Sequence, residues 1–241
     1  MYILPHVRII DLGLYLEKHH VLIFSDFHMG YEDALIAKGV LVPRFALKDI
    51  IKRLEKIFSQ VPDVKTVVIN GDLKHEFGRI SKQEWSDTFK LIEYLLTKVR
   101  TVHIIKGNHD PMLGPITAKQ GIYLVPSLIL NDILIIHGDQ APKIIASSIK
   151  MIIIGHEHPA IRLRSGYRNE LFKCFLLGRY KNKNLIVCPS FHLLHEGSDV
   201  LGMHHLSPFF ECNIMDAKAW IVADKVYSFG CIRDLPRNIY I

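Results

Sequence analysis

Five short polar clusters hold most of the residues in this chain that could do chemistry. They are Asp26-Phe27-His28, Gly71-Asp72-Leu73-Lys74-His75, Gly107-Asn108-His109-Asp110, His137-Gly138 and Gly155-His156-Glu157-His158. Together they offer carboxylates, an amide and imidazoles, and no thiolate. An oxygen and nitrogen donor set of this kind suits Mn, Fe, Zn or Ni better than a thiolate-bound structural zinc or an all-oxygen calcium cage. In an Asp-x-His or His-x-His pair on a turn just past a strand, both side chains can reach one centre. A single ion rarely needs so many protein ligands, so the number of donors argues for two ions. Two ions about 3.5–4 Å apart can share a bridging carboxylate and clamp both the attacking and the leaving oxygen of a phosphoryl displacement.

Each cluster follows an apolar, β-branched run: Val21 to Phe24, Thr66 to Ile69, Val102 to Ile105, Ile133 to Ile136 and Met151 to Ile154. Continuous runs of this length predict strands buried on both faces. If these strands share a sheet, the clusters at their carboxyl ends converge on one crevice, where open α/β sheets place their sites. The glycines fit sharp turns that aim the next side chain back over the strand end. Arg44 to Gln60, entered at Pro43, has apolar residues at helical spacing. Ser81-Lys82-Gln83-Glu84 is a capping box and predicts a second helix. Beyond His158, short apolar stretches (Leu171 to Leu177, Leu185 to Val187, Trp220 to Val222) alternate with turn residues and predict strands.

The order D-x-H, G-D-x-x-H, G-N-H-D, H-G, G-H-x-H resembles the calcineurin-like metallophosphoesterases, with every motif in sequence between residues 20 and 158. The resemblance implies a four-layer α/β/β/α sandwich of two packed β-sheets flanked by helices. One domain would span 1–241, with residues 159–241 completing the second sheet. It implies one ion held by Asp26, His28, Asp72 and His158, and a second held by Asp72, Asn108, His137 and His156. Mn2+ is the first expectation for both, with Fe, Ni and Zn as alternatives. His109 would give a proton to the leaving oxygen or stabilise the phosphoryl group, and Asp110 would orient His109. His75 would serve substrate or catalysis.

Within that superfamily the Asp72 motif is similar to those of the SbcD nuclease branch and the ligase-associated endonuclease PdeM. Protein phosphatases carry an Arg in the corresponding G-D-x-x-D-R, whereas here His75 follows Asp72. Ser25 to Glu32 and Cys188 to Asp199 also resemble archaeal SbcD-related phosphoesterases. SbcD-type nucleases are longer and carry a DNA-capping domain, so the expectation here is endonuclease rather than processive exonuclease action on DNA, in DNA repair, with protein partners left open. A small-molecule or nucleotide phosphodiesterase or phosphatase is the alternative within enzymes. A metal-bound nucleic-acid-binding subunit with weak catalysis is the alternative outside them.

The chain has 241 residues, 49% of them hydrophobic and 22% charged, which excludes disorder. Its formal charge of +6 permits a polyanionic partner. Residues 159–183 carry that whole excess: Arg162, Arg164, Arg168, Lys173, Arg179, Lys181 and Lys183 against Glu170. One reading is exposed strand faces. The other is a phosphate-backbone track beside the site, with Arg162, Arg164 and Arg168 as contacts and Tyr167 and Tyr180 as stacking rings.

Six of the 14 histidines belong to the clusters. His192, His195, His204 and His205 are read as structural, with one or two of them at the cleft. Glu157 is read as facing solvent. Cys174, Cys188, Cys212 and Cys231 are widely spaced and read as buried thiols of a reducing compartment. No apolar run approaches the ~20 residues of a membrane span, so the expectation is a cytoplasmic protein.

Overall fold

The computed structural model describes residues 1–42, 45–76, 81–110, 113, 121–165, 168–202, 206–210 and 214–235, with the backbone alone at 164, 165 and 168. Two mixed β-sheets pack face to face. The first has the order β1 (Tyr2–Leu4), β2 (Val7–Ile10), β3 (Gly13–Leu16), β4 (Val21–Ser25), β5 (Thr66–Asn70), β6 (Thr101–Ile105), β7 (Ile122–Val125). Its first four strands pair antiparallel as a meander. From β4 to β7 the pairing is parallel.

The second sheet begins one residue beyond β7, after Pro126. It comprises β8 (Ser127–Leu130), β9 (Ile133–Ile136), β10 (Met151–Ile154), β11 (Pro159–Ser165), β12 (Arg168–Tyr180), β13 (Lys183–Val187), β14 (Ser198–Asp199), β15 (Lys218–Val222) and β16 (Val226–Cys231). Here β9, β10 and β13 are the parallel trio.

The isoleucine-rich runs are explained by burial on two faces. In β10, Ile153 joins the core between the sheets with Ile23, Val68 and Phe175. Its neighbours Ile152 and Ile154 point to the opposite face, where they meet Leu176, Val187 and Phe209. A polar residue at either register would be buried without a partner.

The helices are α1 (Tyr31–Ala37), α2 (Ala46–Ser59) and α3 (Lys82–Lys98). Ile50, Leu54 and Ile57 of α2, with Leu91, Ile92 and Leu95 of α3, pack into the core of the first sheet. The Ser81 hydroxyl accepts from the N–H of Glu84, and the Glu84 carboxylate accepts from the N–H of Ser81, so the predicted capping box is present. The opposite face of α2 is solvated as expected, with Arg53 clasping Asp11 at 2.6–3.0 Å. Among the described residues, the outer face of the second sheet is covered by single 3₁₀ turns such as Pro208–Phe210 and Ile214–Asp216 rather than α-helices. No helix among them is long and apolar enough to cross a membrane.

The five motif strands divide between the two sheets that the resemblance implies: β4, β5 and β6 lie in the first, β9 and β10 in the second. Their carboxyl ends still meet, because the parallel strands of both sheets present that end on the same side of the sandwich, where donors of the two sheets come within 4 Å. Helix α2 starts at Ala46 rather than Arg44, and Pro43 and Arg44 lie outside the described residues.

Candidate metal centre

Asp26 and His28 follow β4, Asp72 and His75 follow β5, Asn108 to Asp110 follow β6, His137 follows β9, and His156 and His158 follow β10. Five of these, Asp26, His28, Asp72, His156 and His158, have φ between 43° and 67°. Left-handed backbone costs a non-glycine residue of order 1–3 kcal/mol and persists where surrounding structure over-determines it. It turns both members of an Asp-x-His or His-x-His pair toward one point. Two of the motif glycines serve close approach rather than φ. A Cβ on Gly155 would lie 2.5 Å from Asp26 Oδ2, and one on Gly107 would collide with Asp72 Oδ1.

The expected ligands fall into two adjoining sets, and His75 and His109 form a further group with His28. In one, Asp26, His28 and His158 present ligand atoms within 4.8 Å of one another. His28 Nε2 is 3.2 Å from His158 Nε2, which is 3.5 Å from Asp26 Oδ1. In the other, Asp72, His137 and His156 do the same. His137 Nε2 lies 3.0 Å from Asn108 Oδ1, 3.2 Å from His156 Nδ1 and 3.4 Å from Asp72 Oδ2. That same Asp72 oxygen is 3.8 Å from His28 Nε2, in the first set. One carboxylate oxygen therefore faces both.

The residues fit divalent cations on their own chemistry. Asp26 and Asp72 are almost completely buried, and buried carboxylates require a countercharge. Burial alone would push Asp72 up, but the His137 hydrogen bond and charge and the His109 N–H hold it well below the usual carboxylate range. Burial would lower His137, yet Asp72 and Asp26 raise it to about 9. Burial and the neighbouring His158 push His28 down to about 2. The two buried carboxylates thus favour the protonated form of His137 when no cation is bound. A metal ion would replace that proton, since ligating imidazoles must be neutral.

His109 stands beside both sets, its Nε2 3.9 Å from Asp72 Oδ2 and its N–H 2.9 Å from Asp72 Oδ1. Its ring is not oriented in the way expected. The Asp110 carboxylate accepts from the backbone N–H groups of Gly107, Leu73 and Lys74 at 3.1–3.2 Å, while His109 Nδ1 donates to the His75 carbonyl at 2.5 Å. Asp110 therefore ties the loop after β6 to the loop after β5, and burial together with the Asp72 charge raises it to about 6. The residue after a ring is a poor guide to its partner when the turn sends that carboxylate underneath.

Glu157 is buried, not exposed. His156 and His158 are both left-handed, so simple alternation fails, and the Glu157 carboxylate accepts from the Ser207 N–H inside the second sheet's loops.

The segment after β13 also enters the site, against the structural reading of its histidines. Ser190 bridges Ser25, Phe191 N–H donates to Ser25 O at 2.7 Å, and His192 N–H donates to Asp26 O at 3.2 Å. Phe191 packs on Phe24 and Phe27, with ring centroids 5.1 and 4.8 Å away. A cavity of about 240 Å³ results, in which His192, His195, Tyr31 and His75 face His28, His109 and His158. The sequence signal was present, since Pro189-Ser190-Phe191-His192 follows a strand just as the five clusters do. His204, His205 and Cys212 lie outside the described residues.

Two members of the basic segment, Lys173 and Lys183, turn inward, while Arg162, Arg179 and Lys181 are exposed. Lys173 is mostly buried, and its ammonium donates to Ser190 O and Oγ at 2.8 and 2.9 Å and to His192 O. Burial, with the nearby Arg53 charge, lowers it to about 7. Lys183 is buried and donates to Ala146 O and Ile149 O. Arg162 is exposed and paired with Asp199 at 3.0 Å. Tyr180 is buried against Phe209 and unavailable for stacking on a base. The side chains of Arg164, Tyr167 and Arg168 lie outside the described residues. Cys174 and Cys188 are buried as expected, whereas Cys231 is only partly so.

Among solved structures, the nuclease MPE of Pseudomonas putida shares the fold, with a TM-score of 0.65 at 17% identity over 92% of this chain and 93% of that one. Yfce, a phosphoesterase from E. coli, aligns with a TM-score of 0.41 at 15% identity over 85% of this chain and 88% of its own. No curated protein sequence matches. The calcineurin-like phosphoesterase family matches residues 19–211, a span that contains all five strand-end clusters and the segment after β13. On that match the chain belongs to the calcineurin-like phosphoesterase family, a family of metal-dependent hydrolases.

Proposed function

We propose that the chain is a dinuclear phosphodiesterase acting on nucleic acid. The observation that carries this reading is the single Asp72 oxygen facing His28 on one side and His137 on the other. In it, Asp26, His28, Asp72 and His158 hold one ion, and Asp72, Asn108, His137 and His156 the other, with Mn2+ the first candidate. Bound there, the two ions would supply positive charge to the phosphoryl oxygens and lower the pKa of an attacking water.

The chain's own residues do the rest. His109, with its Nδ1 proton committed to the His75 carbonyl, keeps Nε2 turned toward the centre. In its imidazolium form Nε2 donates a proton to the departing oxygen. Asp110 holds the two loops in register without touching substrate, and His75 offers its ring to the cavity. The G-D-x-x-H pattern at Asp72 and His75 supports kinship with the SbcD and PdeM nucleases rather than with protein phosphatases. The fold shared with the Pseudomonas putida nuclease MPE points the same way.

A small nucleotide phosphoester is the second reading, favoured by the inward-turned Lys173 and Lys183, which leave the segment after His158 with less exposed charge than its sequence suggests. Metal-stripped protein reconstituted separately with Mn, Fe, Ni, Zn and Mg tests both readings on a chromogenic diester, a monoester, and single- and double-stranded DNA. Hydrolysis of diester and DNA at two bound ions is expected. Inactivity on all four with every metal would overturn the proposal.

A further inference from the structure

The 240 Å³ cavity includes His28, His109 and His158 in its lining, so a group held against its remaining walls lies beside the phosphorus being attacked. Its volume lies below the range of about 300–1,000 Å³ typical of pockets for drug-sized ligands. It admits one small group and excludes a base pair. Among the described residues, no Lys, Arg, Asp or Glu lines it, so these residues offer a second phosphate no charged partner. Its walls are rings. Tyr31 stands edge-on between His75 and His192, with centroids 4.8 and 4.7 Å away and interplanar angles of 89° and 81°.

These rings are held in place before any ligand arrives. Tyr31 begins α1 directly after Gly30, whose φ of 92° turns the chain. His192 is fixed through its backbone on both sides, by Asp26 O at its N–H and by the Lys173 ammonium at its carbonyl. A wall of preset rings with hydrogen-bonding edges and no net charge matches a flat, neutral heteroaromatic group. Aromatic side chains recognise single-stranded nucleic acid by stacking on its bases.

We infer that Tyr31, His75, His192 and His195 form a subsite for one unpaired nucleobase attached to the scissile phosphate, so that the substrate is a single-stranded or extruded nucleotide diester. This rests on the phosphodiesterase reading above. A base inside a duplex stack cannot enter such a cavity without being extruded.

The test compares thymidine 5′-(4-nitrophenyl phosphate) with methyl 4-nitrophenyl phosphate in wild type, Tyr31→Ala, Tyr31→Phe and His192→Ala. Binding of thymidine 5′-monophosphate is measured by calorimetry with and without Mn2+, and circular dichroism verifies folding. Wild type should prefer the nucleoside diester in kcat/KM. Tyr31→Ala and His192→Ala should each lower that preference, and weaken nucleotide binding, about tenfold, equivalent to about 1.4 kcal/mol. Tyr31→Phe, which keeps the ring, should retain both. Equal preference and affinity in all four proteins, no nucleotide binding by wild type, or Tyr31→Phe failing like Tyr31→Ala would overturn the subsite. Wild type that hydrolyses neither diester while its nucleotide binding still depends on Tyr31 would instead sink the phosphodiesterase reading and leave the subsite standing.

Discussion

The carbonyl oxygen of His75 lies 2.5 Å from Nδ1 of His109. A carbonyl can only accept, so Nδ1 carries the proton and the His109 ring is fixed in both tautomer and direction by the main chain of another loop. That loop is itself held by Glu84, whose Oε1 accepts from the N–H groups of His75 and Glu76 at 2.9 and 3.1 Å. Three elements therefore set one ring.

Because the contact uses backbone, His75→Ala should leave His109 oriented, whereas His109→Ala removes the proton donor. For a diester with an alkoxide leaving group, His109→Ala is expected to lower kcat by about 10²–10⁴. With 4-nitrophenolate, which departs without a proton, the loss should be much smaller. Equal losses on the two leaving groups, in steady-state kinetics, would remove His109 from that role.

Asp72→Asn should reduce bound metal at both positions, since its Oδ2 faces both donor sets. Asn108→Ala should weaken the second position alone. Metal analysis after dialysis is the measurement, and two ions retained by Asp72→Asn would refute a bridging carboxylate.

Gly155→Ala places a methyl 2.5 Å from Asp26 Oδ2 and 3.0 Å from the Ser25 side chain. Neither can retreat from a buried strand end, so a loss of about 1–3 kcal/mol in urea denaturation is expected, together with weaker metal binding. Gly39→Ala meets nothing within 4 Å and should cost only about 1 kcal/mol, for its left-handed φ.

Lys173 gives a pH dependence with a definite sign. Burial lowers it to about 7 in the folded protein, while the unfolded chain keeps the proton to about pH 10.4. Between those values the unfolded state binds more protons, so this group's contribution to stability rises with pH across the window. Below about pH 7 both states are protonated, and the cost of burying the charge is present in full. Urea midpoints of wild type should therefore increase from pH 7 to 10 relative to Lys173→Met, and parallel curves for the two proteins would refute the assignment.

Much of the architecture is legible in the chain's local pattern. All five motif runs are strands, the Ser81 capping box starts a helix, and the stretches around Leu171, Leu185 and Trp220 are strands. Their signals are local: a run of β-branched residues can only be buried on both faces, and a Ser-x-x-Glu pair satisfies its own amides. Missed elements have weaker local signals. The seven-residue α1 makes barely two turns, and the meander of β1 to β3 has strands of only three or four residues.

Local residue order places these side chains at the strand ends and makes their donors oxygen and nitrogen. Where the side chains point follows from how the two sheets pack. His28 meets His158 across 130 residues of chain, Asp110 turns under its loop instead of toward His109, and Glu157 is drawn inward. Lys173 and Lys183 count toward the charge of a basic segment yet spend it on buried carbonyls. The physical reason is the same in each case. Strand and helix periodicity fixes a side chain's direction inside a regular element, but at left-handed turns and strand ends it is set by what packs there from the other sheet.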